Sequence, residues 1–272
     1  MDELQRFKDM TPEEANAYLE EFESCTHDCS TCSGSCSSHK VNKPAKRLIA
    51  VMSGKGGTGK SVVTVLLANA LKKQGIKVGI LDADVACAAV PHLLGMKDPV
   101  IGDYAELAPA PSPEGIPVIS MALISEKPEE PIIYPGLDLA KLAVYFLQEA
   151  NWGDGLDVLL IDMPSGAGDI PLEYYATMPM DYSLCVATPG ELASVSVLRA
   201  INLAEMLMVP VMGIVENFAD PDFALSEKYG DIPVVASVGY DPGLRKAADM
   251  GQLGTFETDA FDYLAKAVGD LL

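Results

Sequence analysis

The sequence predicts an α/β domain: a doubly wound, mostly parallel sheet with helices on both faces, preceded by a short helical, cysteine-rich extension. Two observations carry this expectation. From residue 48 onward, short apolar runs alternate with segments of helical spacing, as expected of strands covered on both faces by crossover helices. The first run, Leu48-Ile49-Ala50-Val51-Met52, leads into Gly54-Lys55-Gly56-Gly57-Thr58-Gly59-Lys60-Ser61, and a helical pattern follows from Val62 to Lys73. That loop fits G-x-x-x-x-G-K-[ST] in the strand–loop–helix setting the pattern requires.

The elements follow in order. Thr11-Pro12-Glu13-Glu14 is a helix start, with Thr11 as N-cap, Pro12 at the first helical position and Glu14 closing a capping box. The helix is expected to reach about Glu23, with Ala15, Tyr18, Leu19 and Phe22 on one stripe. Residues 37–46 read as a polar linker, so the chain divides into 1–46 and a main domain over 47–272. Within the main domain, Gly75 is placed just past the end of the loop helix. Lys77–Leu81 is the second strand, and residues 98–117, rich in Pro and Gly, read as a loop. Pro117–Met121, Asp157–Ile161, Ser183–Thr188, Val211–Val215 and Pro233–Val238 read as further strands. Leu137–Ala150, Glu191–Met208, Pro242–Asp249 and Asp259–Leu271 read as helices. In such folds ligands sit at the carboxyl ends of the strands. The glycine loop, Asp82, Asp84 and Asp162 all fall there.

The loop has a direct physical reading. Glycines let backbone N–H groups face a polyphosphate without Cβ clashes, and the helix start adds its positive end. The nucleotide cradle is therefore read as Gly54 through Val62. Within it Lys60 reaches toward β/γ-phosphates, and the Ser61 hydroxyl is a Mg²⁺ ligand. Asp162 ends the apolar run Val158-Leu159-Leu160-Ile161, where a carboxylate can hold Mg²⁺ directly or through water; a turn-forming aspartate is the plainer alternative.

Cys25, Cys29, Cys32 and Cys36 space as C-x3-C-x2-C-x3-C. Clustered thiols in a reducing compartment favour metal over disulfides. The closing C-x2-C-x3-C matches the run that holds [4Fe–4S] clusters. The small residues between the cysteines let backbone wrap such a cluster. Four thiolates also suit zinc. His27 and His39 read as solvated, Cys185 as core, and Cys87 has no partner in the sequence.

The chain has 272 residues, 49% of them hydrophobic, and a net charge of −20. That composition fits a folded globule. The charge disfavours non-specific contact with nucleic acid or anionic membranes. No uninterrupted apolar run of spanning length occurs. The acidic start does not read as a secretory signal, so the expectation is a cytosolic protein.

Lys55, in the second position of the loop, resembles the signature lysine of the deviant Walker A ATPases, the MinD/ParA/nitrogenase iron protein superfamily. The resemblance implies an ATP-dependent homodimer in which Lys55 crosses to the partner's nucleotide. It also implies that Asp82 helps position the metal and that Asp84 orients the attacking water; an Asx-turn pair is the local alternative. Leu81-Asp-Ala-Asp84, Asn151-Trp152-Gly153, Asp162–Asp169, Ala187-Thr188-Pro189 and Gly213-Ile-Val-Glu-Asn217 together resemble the Mrp/NBP-type, ApbC-like iron–sulfur carriers over roughly residues 47–250. In those proteins an asparagine matching Asn217 helps hold adenine. The resemblance implies slow ATP hydrolysis coupled to handing a cluster to an apo client protein.

The resemblance breaks at one important place. The family's C-P-x-C pair, which bridges a cluster between subunits, is replaced by Ala219-Asp220-Pro221-Asp222-Phe223. Smaller departures are Val85-Ala86-Cys87-Ala88 and Tyr134-Pro135-Gly136. Any cluster would therefore fall to the N-terminal cysteines. Two other readings compete: an ATP-gated iron–sulfur electron donor, and a positioning ATPase with a zinc-binding N-terminus. The acidic end, with Asp259, Asp262 and Asp270, argues against a membrane-binding terminal helix.

Overall fold

The computed structural model describes residues 43–96, 108–123, 139–153, 155–220 and 229–272. The expected helix at 11–23, the cysteine run at 25–36, His27, His39 and Tyr134–Gly136 lie outside the described residues. In chain order the strands are β1 (Ala45–Ser53), β2 (Val78–Asp82), β3 (Ala110–Pro111), β4 (Pro117–Ser120), β5 (Leu156–Asp162), β6 (Tyr182–Ala187), β7 (Val211–Ala219) and β8 (Val234–Gly239). The helices are α1 (Lys60–Lys73), α2 (Val90–Leu93), α3 (Leu139–Glu149), α4 (Asp169–Thr177), α5 (Glu191–Met206), α6 (Pro242–Asp249) and α7 (Asp262–Gly269).

The strands form one sheet in the order β3-β4-β2-β5-β1-β6-β7-β8. Every pairing is parallel except β3 with β4. β1 lies between β5 and β6, so its side chains alternate between two cores. Leu48 and Ala50 join Leu159, Ile161, Phe146, Tyr174 and Val197 on the face covered by α3, α4 and α5. Ile49 and Val51 join Leu160, Leu66, Leu71, Leu264 and Val268 on the face covered by α1 and α7. This is the two-sided cover that the alternating apolar runs predict.

Burial drives α1 more than helix propensity does. Val62, Val63, Thr64 and Val65 are β-branched and poor helix formers, yet residues 63–68 are all buried. Lys72 and Lys73 complement the negative end of the helix. The helix then closes in a Schellman turn: Gly75 N–H donates to Lys72 O at 2.9 Å, Ile76 N–H donates to Leu71 O at 3.1 Å, and Gly75 takes φ +80°. The placement of Gly75 past the helix end therefore holds.

Four features differ from the sequence expectation. A short edge strand, β3, occurs where only loop is expected, because backbone pairing with β4 compensates for its missing apolar pattern. The helices α2 and α4 are unanticipated; each is short and carries a proline near its start. β7 continues beyond Val215 to Ala219, so Glu216 and Asn217 lie within a strand. Their pairing with Ser237 and Val238 of β8 extends it past the apolar run. α5 stops at Met206, and Met208 adopts φ +59° in the turn that follows.

Asp181 anchors the start of β1. Its Oδ2 accepts from Leu48 N–H at 2.7 Å, its own N–H donates to Leu48 O at 2.9 Å, and Lys43 Nζ lies 2.6 Å from Oδ1. Asp181→Ala leaves the N–H of fully buried Leu48 without its acceptor. We expect a loss of about 1–3 kcal/mol of stability, read as a lower denaturant midpoint at unchanged slope.

Candidate nucleotide site

The glycine loop turns between β1 and α1 with Gly57 at φ +76° and Gly59 at φ +81°, a conformation that glycine adopts without steric cost. Its two ends are clamped by backbone and by a buried amide. A Cβ on Gly54 would stand 2.2 Å from the backbone carbonyl of Ser196 in α5, and one on Gly59 would stand 2.2 Å from Asn217 Nδ2. Asn217 is buried and donates from Nδ2 to Thr58 O at 2.8 Å. Gly59 also caps α1 with no side-chain hydrogen bond and no acidic residue in the first turn. The first N–H groups of α1 are thus left for an anion.

Beneath the loop, Lys60 and Asp162 are buried at 6% and 0% side-chain exposure, with Nζ 2.9 Å from Oδ1. Parallel pairing of β1 with β5 sets Val51 opposite Asp162, which brings the carboxylate under the loop. Asp162 accepts from Ser61 Oγ at 2.6 Å and from Thr64 Oγ1 at 2.9 Å. Beyond this ion-pair contact the Lys60 ammonium makes no hydrogen bond, and the Thr58 hydroxyl and Asp82 Oδ1 are likewise buried without hydrogen-bond partners. Buried donors left unmade are costly. A phosphate lying along the loop would satisfy Lys60 and Thr58.

Asp82 ends β2 directly opposite Asp162 of β5. Its Oδ2 accepts from the N–H groups of Ala89 and Val90 and from Ser120 Oγ, at 3.1, 3.1 and 3.0 Å. Burial, and secondarily the charge of Asp162, pushes its carboxyl up to about 7 against the opposing pull of Lys60. Asp84, half-buried, is also raised, chiefly by burial, and lowered by Lys60. Among the described residues no group of three or more His, Cys, Asp or Glu converges as a metal cage. The oxygen donors Ser61, Asp82 and Asp162 fit Mg²⁺, which is commonly bound through one or two carboxylates plus substrate phosphates.

The structure thus gathers Gly54–Val62, Asp82, Asp84, Asp162 and Asn217 at one end of the sheet. Lys55 is exposed on the loop. Cys87 is exposed in a single 3₁₀ turn after Asp84, and Cys185 is buried with its thiol pushed up to about 12 by desolvation. Cys25, Cys29, Cys32 and Cys36 lie outside the described residues. Thr64 and Ser120 are site residues that motif reading misses. Thr64 carries one signal, a hydroxyl one helical turn after Lys60 in the otherwise apolar stretch 62–68.

A glycine loop on an uncapped helix, with a buried lysine and a strand-end aspartate beneath it, defines a P-loop NTPase. The chain belongs to the NUBPL iron-transfer P-loop NTPase family, whose ParA profile matches residues 44–259. An iron-sulfur cluster carrier protein of Rickettsia conorii is 34% identical over 221 residues, covering 77% of this chain and 68% of that one. One from Methanococcus maripaludis is 36% identical over 211 residues, covering 72% of this chain and 73% of that one. Among solved structures, a nucleotide-binding protein from Archaeoglobus fulgidus in complex with ADP is 36% identical, with a TM-score of 0.68 over 81% of this chain and 92% of that chain. The cell division ATPase MinD of Pyrococcus furiosus shares the fold at 23% identity, with a TM-score of 0.64 over 84% of this chain and 100% of that chain.

Two outcomes are expected. Gly59→Ala forces a left-handed alanine against Asn217 and should weaken nucleotide binding by roughly tenfold or more, read by titration with a fluorescent ADP analogue. For Asp82 the folded chain keeps a proton that the unfolded chain releases from about pH 4 upward. Its contribution to stability is therefore present at low pH and lost as pH rises toward about 7. Denaturant midpoints of the nucleotide-free protein should fall less between pH 5 and pH 8 in Asp82→Asn than in the unaltered chain.

Proposed function

We propose that the chain is an ATP-hydrolysing iron–sulfur cluster carrier that works as a homodimer and hands its cluster to apo client proteins. The observation that carries the nucleotide half is the buried Lys60–Asp162 pair under an uncapped helix start, with the Lys60 ammonium lacking a hydrogen bond. Membership of an iron-transfer family supports the cluster half.

On this reading the triphosphate lies along Gly54–Val62. Lys60 turns from Asp162 toward the β/γ-phosphates, and Asn217, already bonded to the loop, offers its remaining oxygen to the adenine amino group. Ser61, Asp82 and Asp162 would hold Mg²⁺, which supplies charge neutralisation of the phosphates. Asp84 orients the attacking water; it need not be a strong base, because phosphoryl transfer depends mainly on positioning and charge stabilisation. Lys55 is exposed, as a residue reaching into a second copy must be. The cluster is cargo. With no cysteine in Ala219–Phe223, its ligands are Cys25, Cys29, Cys32 and Cys36.

Anaerobically purified protein tests both halves separately. We expect Mg-dependent ATP binding, iron with acid-labile sulfide, and transfer of the cluster to apo-ferredoxin. Lys60→Ala should weaken ATP binding at least about tenfold and leave iron in place. Replacing Cys29 and Cys32 by serine should remove iron and spare nucleotide binding. Zinc in place of iron, or a cluster that stays on the chain and cycles one electron, overturns the carrier reading. No Mg-dependent nucleotide affinity overturns the ATPase reading.

A further inference from the structure

α4 grows directly out of the loop that follows Asp162, and it carries two consecutive buried tyrosines, Tyr174 and Tyr175. A buried tyrosine hydroxyl needs a partner, and these two find theirs in different places. Tyr175 OH lies 2.9 Å from Ser183 Oγ of β6 and 3.1 Å from Met52 Sδ of β1, which pins α4 to the sheet. Tyr174 OH reaches the tip of β2 and donates to the carbonyl of Ala83 at 2.9 Å.

Ala83 stands between Asp82 and Asp84, and its carbonyl belongs to the peptide that leads into Asp84. Its N–H donates to the carbonyl of Asp162 at 3.0 Å. The short segment carrying both aspartates is therefore held on one side by the end of β5 and on the other by α4. The intervening loop is bonded to the end of the strand that feeds the glycine cradle: Met163 N–H donates to Val51 O at 3.0 Å, and Gly166 N–H donates to Ser53 O at 2.9 Å. Gly166 takes φ +97°, and residues 165, 167 and 168 are exposed beside the nucleotide end of the sheet. A displacement of this loop by a terminal phosphate would move the start of α4. Tyr174 links α4 to the peptide that leads into Asp84.

We propose that Tyr174 is a positioning residue for ATP hydrolysis: its hydroxyl ties the Ala83–Asp84 peptide to α4, so the placement of the Asp84 carboxylate depends on the state of the 163–168 loop. This rests on the ATPase reading above, with Asp84 orienting water. Phenylalanine would fill the same core volume, so packing alone does not account for the hydroxyl. Removing it leaves the Ala83 carbonyl without this donor while the nucleotide cradle keeps every contact.

The test is steady-state ATP hydrolysis by the full chain, well below the unfolding temperature, for the unaltered protein, Tyr174→Phe, Tyr175→Phe, Asp84→Asn and the Tyr174→Phe/Asp84→Asn double variant. Tyr174→Phe should lower kcat by about tenfold, the worth of one well-placed hydrogen bond, with KM changed by less than about twofold. Tyr175→Phe removes an equally buried hydroxyl from the same helix and should lower stability while sparing kcat. The double variant should be no slower than Asp84→Asn alone, because Tyr174 acts through that carboxylate. An unchanged kcat in Tyr174→Phe, an equal loss in Tyr175→Phe, or additive effects in the double variant would overturn the proposal and leave the ATPase reading intact. Absence of hydrolysis by the unaltered chain, or full activity of Asp84→Asn, would instead remove the reading beneath it. Should Tyr174→Phe fail to fold, amide exchange on the unaltered chain decides. A non-hydrolysable ATP analogue should raise protection of the peptides spanning 82–86 and 169–177 together, and protection of the second without the first overturns the coupling.

Discussion

The structure depends on a buried ion pair that is only partly satisfied. Taking a lysine and an aspartate out of water costs several kcal/mol for each ion, and at Lys60–Asp162 that cost is offset by a close contact and by the hydroxyls of Ser61 and Thr64. Asp162 is well supplied with partners. The Lys60 ammonium is not. An apolar pair of the same volume would be simpler to bury, and a further anion would give the ammonium the partners it lacks. The adjacency of β1 and β5, the register that sets Val51 against Asp162, and the burial of α1 all serve to hold that pair in place.

Around the pair, the glycine loop is held as a template. Ser196 and Val197 of α5 press against Gly54 on one side, and Asn217 of β7 presses against Gly59 on the other while bonding the Thr58 carbonyl. A helix and a strand on the β6 side of β1 thus brace both ends of the loop. Ordering the loop within the fold reduces what a ligand must order on binding. The aspartates at the ends of the neighbouring strands β2 and β5 stand opposite each other, and burial, with their mutual repulsion as the lesser cause, raises Asp82. A divalent cation between them would relieve it.

The family connection and the missing C-P-x-C pair pull against each other in an informative way. The nucleotide domain matches iron-transfer relatives across most of its length, while Cys87 and Cys185, the cysteines among the described residues, are a lone exposed thiol and an inert buried one. On the proposed carrier reading, cluster chemistry would fall to the four cysteines that precede β1 in the sequence.

Much of this was legible from residue order alone. The loop at 54–61, the strand–loop–helix context, Asp162 at the end of an apolar run and Gly75 beyond α1 are local signals, because glycine conformations, helix ends and strand burial are set by near neighbours in the chain. The edge strand β3, the helix α4 and the extension of β7 past Val215 were not legible, since each is stabilised by pairing or burial against distant segments rather than by its own pattern. The same division runs through the site. Residue identity and spacing show which groups can handle phosphate. That Thr64 and Ser61 share Asp162, that Asn217 braces the cradle and that Tyr174 holds the peptide before Asp84 emerges from the folded chain alone. Contacts between residues 91 or 159 positions apart are set by strand order and packing, and no local spacing encodes them.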